Sequence, residues 1–159
     1  MNIQPTMGEL GKGTKPVQAS ASRRRILVVD DQPFFLSACQ QALRGRGYEV
    51  QTATGGAEAL KAIESARPDL ILLDIEMPGA DGFATCRRIK ANPATAHIPV
   101  AMVSASEAPK LVQQAFQAGA QGTIPKNMGW ERLLNMIDLI LAQARPLSPA
   151  ENPKPGPTS

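Results

Sequence analysis

The stretch RILVVDD, residues 25–31, decides the fold, because an apolar run of strand length ends in two adjacent carboxylates. The same arrangement recurs three times: DLILLD ends at Asp74, IPVAMVS at Ser104 and QGTIPK at Lys126. Short continuous apolar runs between helical patterns are typical of buried parallel strands. In such a sheet, ligands bind at the carboxyl ends of the strands. We therefore expect these polar side chains to meet at one edge of the sheet.

Strand and helix patterns alternate five times along the chain. Right-handed crossovers turn five such units into an α/β fold, a doubly wound parallel sheet with helices on both faces. Pro33 suits the first turn of the first helix, and Phe35 belongs to the apolar face of that helix. We expect strands at 25–30, 48–53, 69–74, 98–103 and 121–124, helices at about 33–45, 56–66, 83–91, 107–118 and 130–144, and a loop at 75–82.

The two ends of the chain differ in composition from its middle. Residues 1–22 have no apolar period and residues 146–159 are rich in proline, so both are expected to be disordered or extended tails. Residues 23–145 then form a single domain. The N-terminus lacks the apolar core of a secretory signal, and no stretch is long enough to span a bilayer. We expect a cytoplasmic protein without membrane insertion.

The net charge of +3 comes from the N-terminal tail and the run Arg23-Arg24-Arg25, while the rest is nearly neutral. No recognition motif accompanies this charge, so we expect no specific nucleic-acid binding. Cys39 and Cys86 have no cysteine or histidine at metal-ligand spacing and are expected to be buried, reduced thiols. His97, the only histidine, precedes an apolar run and is expected to lie in a loop.

Three carboxylates, a hydroxyl and an ammonium at one sheet edge have a chemistry of their own. Clustered carboxylates repel one another unless a cation joins them, and oxygen ligands favour magnesium or calcium. A carboxylate held against such a metal beside a lysine suits the capture of a phosphoryl group. Taken singly, each residue has a plainer interpretation. Asp30, Asp31 or Ser104 could cap the helix that follows it, and Lys126 could be a surface lysine.

The joint pattern resembles the receiver domain of two-component response regulators over residues 24–145. The matching motifs are VVDD at 28–31, DIEMPGADG at 74–82, SAS at 104–106, GA at 119–120, and Lys126. The resemblance implies a flavodoxin-like sheet with strand order 2-1-3-4-5. It also implies a phosphorylation-dependent signalling switch of the stand-alone, chemotaxis or phosphorelay type. Such a switch is not a conventional enzyme, since it catalyses only its own phosphorylation and dephosphorylation.

The resemblance also implies a role for each site residue. Asp74 would accept the phosphoryl group from a histidine kinase or phosphotransfer protein, and a downstream target protein would read the result. Ser104 would donate a hydrogen bond to one phosphoryl oxygen, and Lys126 would pair with another. Mg²⁺ would be held directly by Asp31, through water by Asp30, and by Asp74 and the backbone carbonyl of Glu76.

Two positions depart from the family's pattern. Asn127 follows Lys126 where the family has proline, so the bond between them is either a costly cis bond or trans with a rearranged loop. Thr123 occupies the usual place of an aromatic switch residue, which excludes aromatic reorientation at that position as the readout. The signal is expected to run through Ser104 and the fourth helix. Trp130, at the start of the fifth helix, is either a packing residue or a partner anchor.

Two other interpretations stay open, and a third is disfavoured. The chain could be a receiver-like scaffold that is never phosphorylated, to which Thr123 and Asn127 lend some weight, although the intact acids, Ser104 and Lys126 argue against it. It could be the receiver part of a larger multidomain regulator. An Asp-nucleophile phosphatase would carry Asp-x-Asp after its first strand, whereas this chain has Asp30-Asp31-Gln32-Pro33.

Overall fold

A computed structural model describes residues 23–77 and 80–143 as one parallel five-stranded sheet with helices on both faces. Numbered along the chain, the strands have the order 2-1-3-4-5, and each neighbouring pair is parallel. The predicted fold class is confirmed. The strands are β1 (Arg25–Val29), β2 (Glu49–Ala53), β3 (Leu70–Asp74), β4 (Val100–Ser104) and β5 (Gly122–Pro125).

Successive residues of the central strands enter two separate cores, because side chains alternate across a sheet. Ile26 and Val28 of β1 face one core, and Leu27 and Val29 face the other. The first core is closed by α1 and α5, and the second by α2, α3 and α4. The helices are α1 (Pro33–Gly45), α2 (Gly56–Ser65), α3 (Gly82–Ala91), α4 (Pro109–Gln117) and α5 (Trp130–Gln143).

Several predicted boundaries are wrong by one or two residues. The fourth helix begins at Pro109 instead of 107, because proline has a helical φ and no N–H to leave unpaired in a first turn. The fourth strand begins at Val100 instead of 98, since the Ile98 N–H closes a turn on the Thr95 carbonyl (3.0 Å). That strand continues to Ser104, which lies beside Pro125 of β5. The ends of helices and strands depend on local hydrogen bonds that apolar periodicity does not encode.

The segment after β3, predicted as a loop, contains a small hairpin. Glu76–Met77 pairs antiparallel with Ala80–Asp81, outside the main sheet. Gly82 then starts α3 so close to β3 that an added Cβ would lie 2.4 Å from the Asp74 carbonyl oxygen. The Asp81 carboxylate caps this helix by accepting a hydrogen bond from the Phe83 N–H (3.0 Å). Glycine is therefore required where α3 meets the end of β3.

The cysteines and the histidine lie where the sequence predicts. Cys39 and Cys86 are buried and free, and His97 is exposed in a turn. In this part of the chain no helix combines the length and apolar character that a bilayer span requires. The predicted tails, 1–22 and 146–159, lie outside the described residues.

Candidate functional site

The carboxyl ends of β1, β3, β4 and β5 lie side by side and bring the predicted site residues to one edge of the sheet. Asp30 directly follows β1, and Asp74 is the last residue of β3. Ser104 is the last residue of β4, and Lys126 directly follows β5. The Lys126 N–H donates to the Ser104 carbonyl oxygen (2.8 Å), which extends the β4–β5 pairing as far as the site.

Three carboxylates form the centre of the site. Asp30, Asp31 and Asp74 each offer an oxygen within 4.8 Å of the other two. Asp30 is fully buried, Asp74 is 2% exposed and Asp31 is half-buried. Burial weakens the hydration of carboxylates and strengthens their mutual repulsion. Positive charge close to such a cluster stabilises it.

One cation is already supplied by the chain. The Lys126 Nζ lies 2.7 Å from Asp30 Oδ2 and 3.7 Å from Asp74 Oδ2, and only 17% of the lysine side chain is exposed. The Gln32 N–H donates to Asp30 Oδ1 (2.9 Å), and the Glu76 N–H donates to Asp74 Oδ1 (3.3 Å). Asp30 Oδ2 is buried, and the Lys126 ammonium is its close partner. This buried oxygen keeps a lone pair for another cation or its water.

The electrostatics follow from this geometry. Burial raises the pKa of Asp74 to about 6, and the negative charge of Asp30 contributes in the same direction against the Lys126 ammonium. Burial acts to lower the pKa of Lys126, but its contacts with Asp30 and Asp74 outweigh this effect and raise it. At neutral pH the site thus holds a charged ammonium beside a carboxylate that is mostly ionised and more basic than usual.

The plainer interpretations of single residues do not hold. The N-cap of α1 is Gln32 and that of α4 is Ala108, and neither helix is capped by a side chain. The Ser104 hydroxyl is buried and accepts a hydrogen bond from the Ser106 N–H (2.9 Å), so its own proton can still be donated. Lys126 is not a surface lysine.

An aromatic pair beside Lys126 was missed from the sequence. The Lys126 Nζ lies 4.7 Å from the centre of the Phe35 ring. The Phe35 ring in turn stacks on Trp130, with 5.9 Å between ring centres and an interplanar angle of 26°. The signal available in the sequence is weak: Phe35 belongs to the first turn of α1, four residues after Asp31, and so begins near the site.

The two departures from the family's pattern also have defined structures. Every peptide bond in the described residues is trans, so the Lys126–Asn127 bond takes the trans alternative. Thr123 is half-buried on β5 beside Met102 of β4.

Comparison with known proteins identifies the chain. Residues 26–138 match the response regulator receiver domain family. The chain belongs to this family. It is 36% identical over 143 residues to the gliding motility regulatory protein of Myxococcus xanthus, covering 88% of this chain and 18% of that protein. It is 41% identical over 102 residues to the response regulator PleD of Caulobacter vibrioides, covering 64% of this chain and 22% of PleD.

The similarity extends to three dimensions. The chemotaxis protein CheY4 of Vibrio cholerae superposes with a TM-score of 0.72 at 30% identity, covering 75% of this chain and 99% of CheY4. The receiver domain thus spans about a fifth of the length of the two curated relatives, and nearly the whole of CheY4. Membership in this family makes the chain a receiver domain of two-component signalling.

Proposed function

We propose that Asp74 accepts a phosphoryl group from a phosphohistidine donor in a Mg²⁺-dependent reaction, and that the phosphorylated domain signals by partner binding or phosphate relay. The observation that supports this most directly is the environment of Asp74. Its carboxylate is 2% exposed, belongs to a cluster of three within 4.8 Å, and has an ammonium 3.7 Å away. Phosphoryl transfer needs this combination of a placed nucleophile and positive charge.

The donor set fits a magnesium ion. All candidate ligands are hard oxygens, and three of them are carboxylates within 4.8 Å of one another. Asp31, Asp74 and the backbone carbonyl of Glu76 would hold the ion directly, with Asp30 acting through water. When bound, Mg²⁺ neutralises negative charge on the transferring phosphoryl oxygens.

Three side chains carry out the phosphoryl transfer itself. An Asp74 oxygen forms the new bond to phosphorus while the bond from phosphorus to the donor nitrogen breaks and its electron pair leaves with the imidazole. The Lys126 ammonium pairs with one phosphoryl oxygen, and the Ser104 hydroxyl donates to another. The resulting aspartyl phosphate is a reactive acyl phosphate, which water later hydrolyses.

Movement of α4 is the expected readout. Of the residues of α4, only Ala115 is buried, and the segment 105–108 that joins Ser104 to this helix is exposed. An element with so few buried contacts can shift at low free energy. A phosphoryl group that draws the Ser104 hydroxyl inward would pull on this segment and re-pack α4.

The partners follow from the same proposal. The donor would be a histidine kinase or a phosphotransfer protein, and the receiver of the signal a downstream target protein. The described body carries no recognition motif for nucleic acid, and the proposed location is the cytoplasm. The alternative is a scaffold that is never phosphorylated, and the following experiment distinguishes it from a phosphorylated receiver.

The test is intact-mass spectrometry after treatment with acetyl phosphate and Mg²⁺. We expect one added phosphoryl group on the wild-type chain and on the control Glu64→Gln, which changes an exposed carboxylate of α2. We expect none on Asp74→Asn, and none in EDTA. A wild-type chain that stays unmodified would favour the scaffold. An adduct on Asp74→Asn would show that another residue is the acceptor.

A further inference from the structure

Lys126 is in contact with two different kinds of partner. On one side are the carboxylates of Asp30 and Asp74, at 2.7 and 3.7 Å. On the other is the Phe35 ring, whose centre lies 4.7 Å from Nζ. An ammonium within about 6 Å of a ring centre is attracted by the negative face of the ring. Phe35 therefore holds the lysine without competing for its hydrogen bonds.

Phe35 is itself held from two directions. Its helix, α1, is anchored in the core by Leu36, Cys39 and Leu43. Its ring stacks on Trp130, the first residue of α5, and Trp130 is 39% exposed. The two rings thus form a continuous contact from the Lys126 ammonium to solvent, across the gap between α1 and α5.

We propose that Phe35 is a positioning residue for Lys126 and that its stack on Trp130 carries the displacement of this lysine to the exposed start of α5. The first half concerns the resting protein. The second rests on the proposed function, in which Lys126 pairs with a phosphoryl oxygen on Asp74.

The distances show why the lysine needs positioning. In the resting site Lys126 is closer to Asp30 (2.7 Å) than to Asp74 (3.7 Å), and the proposal is that a phosphoryl group on Asp74 draws the ammonium away from Asp30. A ring face is attractive over its whole area, which lets the ammonium slide without losing that contact. A methylene or methyl neighbour would add burial but no attraction for the charge. Thr123 stands on β5 where the family carries an aromatic switch residue. In this chain Phe35 and Trp130 provide an aromatic contact beside the site.

The resting contact is tested by NMR on the Lys126 side chain. Protons over an aromatic face are shifted upfield by the ring current, so we expect upfield Lys126 CεH₂ resonances in the wild type and in Phe35→Tyr. In Phe35→Leu, which keeps an apolar side chain but removes the ring, the resonances should return to ordinary values. Ordinary values in the wild type would overturn the positioning role whether or not the protein is phosphorylated.

The kinetic test compares the same variants. We expect Phe35→Leu to lower the second-order rate constant for phosphorylation by acetyl phosphate about fivefold, the size of one cation–π contact of ~1 kcal/mol. Phe35→Tyr, which keeps an aromatic ring, should be phosphorylated at the wild-type rate. The matched control is Phe34→Leu, which changes the neighbouring phenylalanine, 91% exposed and outside the site, and should leave the rate unchanged. Equal rates for Phe35→Leu and the wild type would refute the proposal.

The transmission step has its own readout, because Trp130 is the only tryptophan of the chain. Mg²⁺ with beryllofluoride, a phosphoryl mimic, should change the Trp130 emission in the wild type and in Phe34→Leu, and leave it unchanged in Phe35→Leu. An unchanged wild-type signal in a protein that does become phosphorylated would refute transmission through the stack. A wild type that takes up no phosphoryl group would refute the proposed function instead, and with it the transmission step.

Discussion

Replacing Asp74 with asparagine should stabilise the metal-free protein at neutral pH, although it removes the proposed nucleophile. Burial and the charge of Asp30 raise the pKa of Asp74 from an ordinary value near 3.8 to about 6. The folded protein therefore binds the Asp74 proton more tightly than the unfolded chain. Stability from this group is fully present below the unfolded pKa and is lost as the pH rises through the folded pKa. A difference of about two pKa units corresponds to about 3 kcal/mol at pH 7.

Urea unfolding in EDTA measures this effect. At pH 7 the Asp74→Asn variant should be more stable than the wild type by up to about 3 kcal/mol, and the difference should shrink toward zero as the pH falls below about 4. Glu64→Gln, which changes an exposed carboxylate, should stay within about 0.5 kcal/mol of the wild type at both pH values. Mg²⁺ should narrow the gap at pH 7, since it stabilises the cluster that binds it. An Asp74→Asn variant no more stable than the wild type at pH 7 would refute the electrostatic reasoning.

Three further predictions concern neighbouring residues. Asp31→Asn should weaken Mg²⁺ binding more than Asp30→Asn in a metal titration, because losing a direct ligand costs more than losing one that acts through water; equal losses would reverse these roles. Ser104→Ala should still be phosphorylated, while the amide shifts of α4 seen by NMR with beryllofluoride disappear; shifts that persist would place the coupling elsewhere. Gly82→Ala should destabilise the fold by about 1–3 kcal/mol in urea unfolding, because its Cβ would lie 2.4 Å from a backbone oxygen, whereas Gly122→Ala, which meets nothing within 4 Å, should show no such clash.

The sequence predicted the sheet and the convergence of the site because both depend on short-range signals. An apolar run ends where a polar residue begins, and in a parallel sheet each such end lies at the same edge. That reasoning places Asp30, Asp74, Ser104 and Lys126 together from the sequence alone. The same logic could not tell a helix cap from a site residue, since both follow a strand. The structure decides by giving α1 and α4 other N-caps.

Apolar periodicity does not predict which side chains of different helices and strands touch each other. Helical spacing places Phe35 on the inner side of α1, but whether that ring meets the sheet or Lys126 depends on how α1 crosses the strands. The stack on Trp130 depends further on the path of residues 126–129 between β5 and α5. The hairpin after β3 has only two residues in each strand, too short for an alternating pattern to show.

The resting site holds its carboxylates together at an electrostatic cost, and a switch must change the balance between two folded states. Keeping Asp74 ionised among buried carboxylates costs about 3 kcal/mol at pH 7 in the absence of metal. Shifting a two-state equilibrium from one per cent to half requires about 2.7 kcal/mol, since each factor of ten is about 1.4 kcal/mol. A phosphoryl group shifts such an equilibrium only by the difference between its interactions with the two states, and α4, with one buried residue, is the described helix with the fewest buried side chains. If hydrogen exchange showed α4 to be as protected as α1, which buries Leu36, Cys39 and Leu43, this coupling of site to helix would fail.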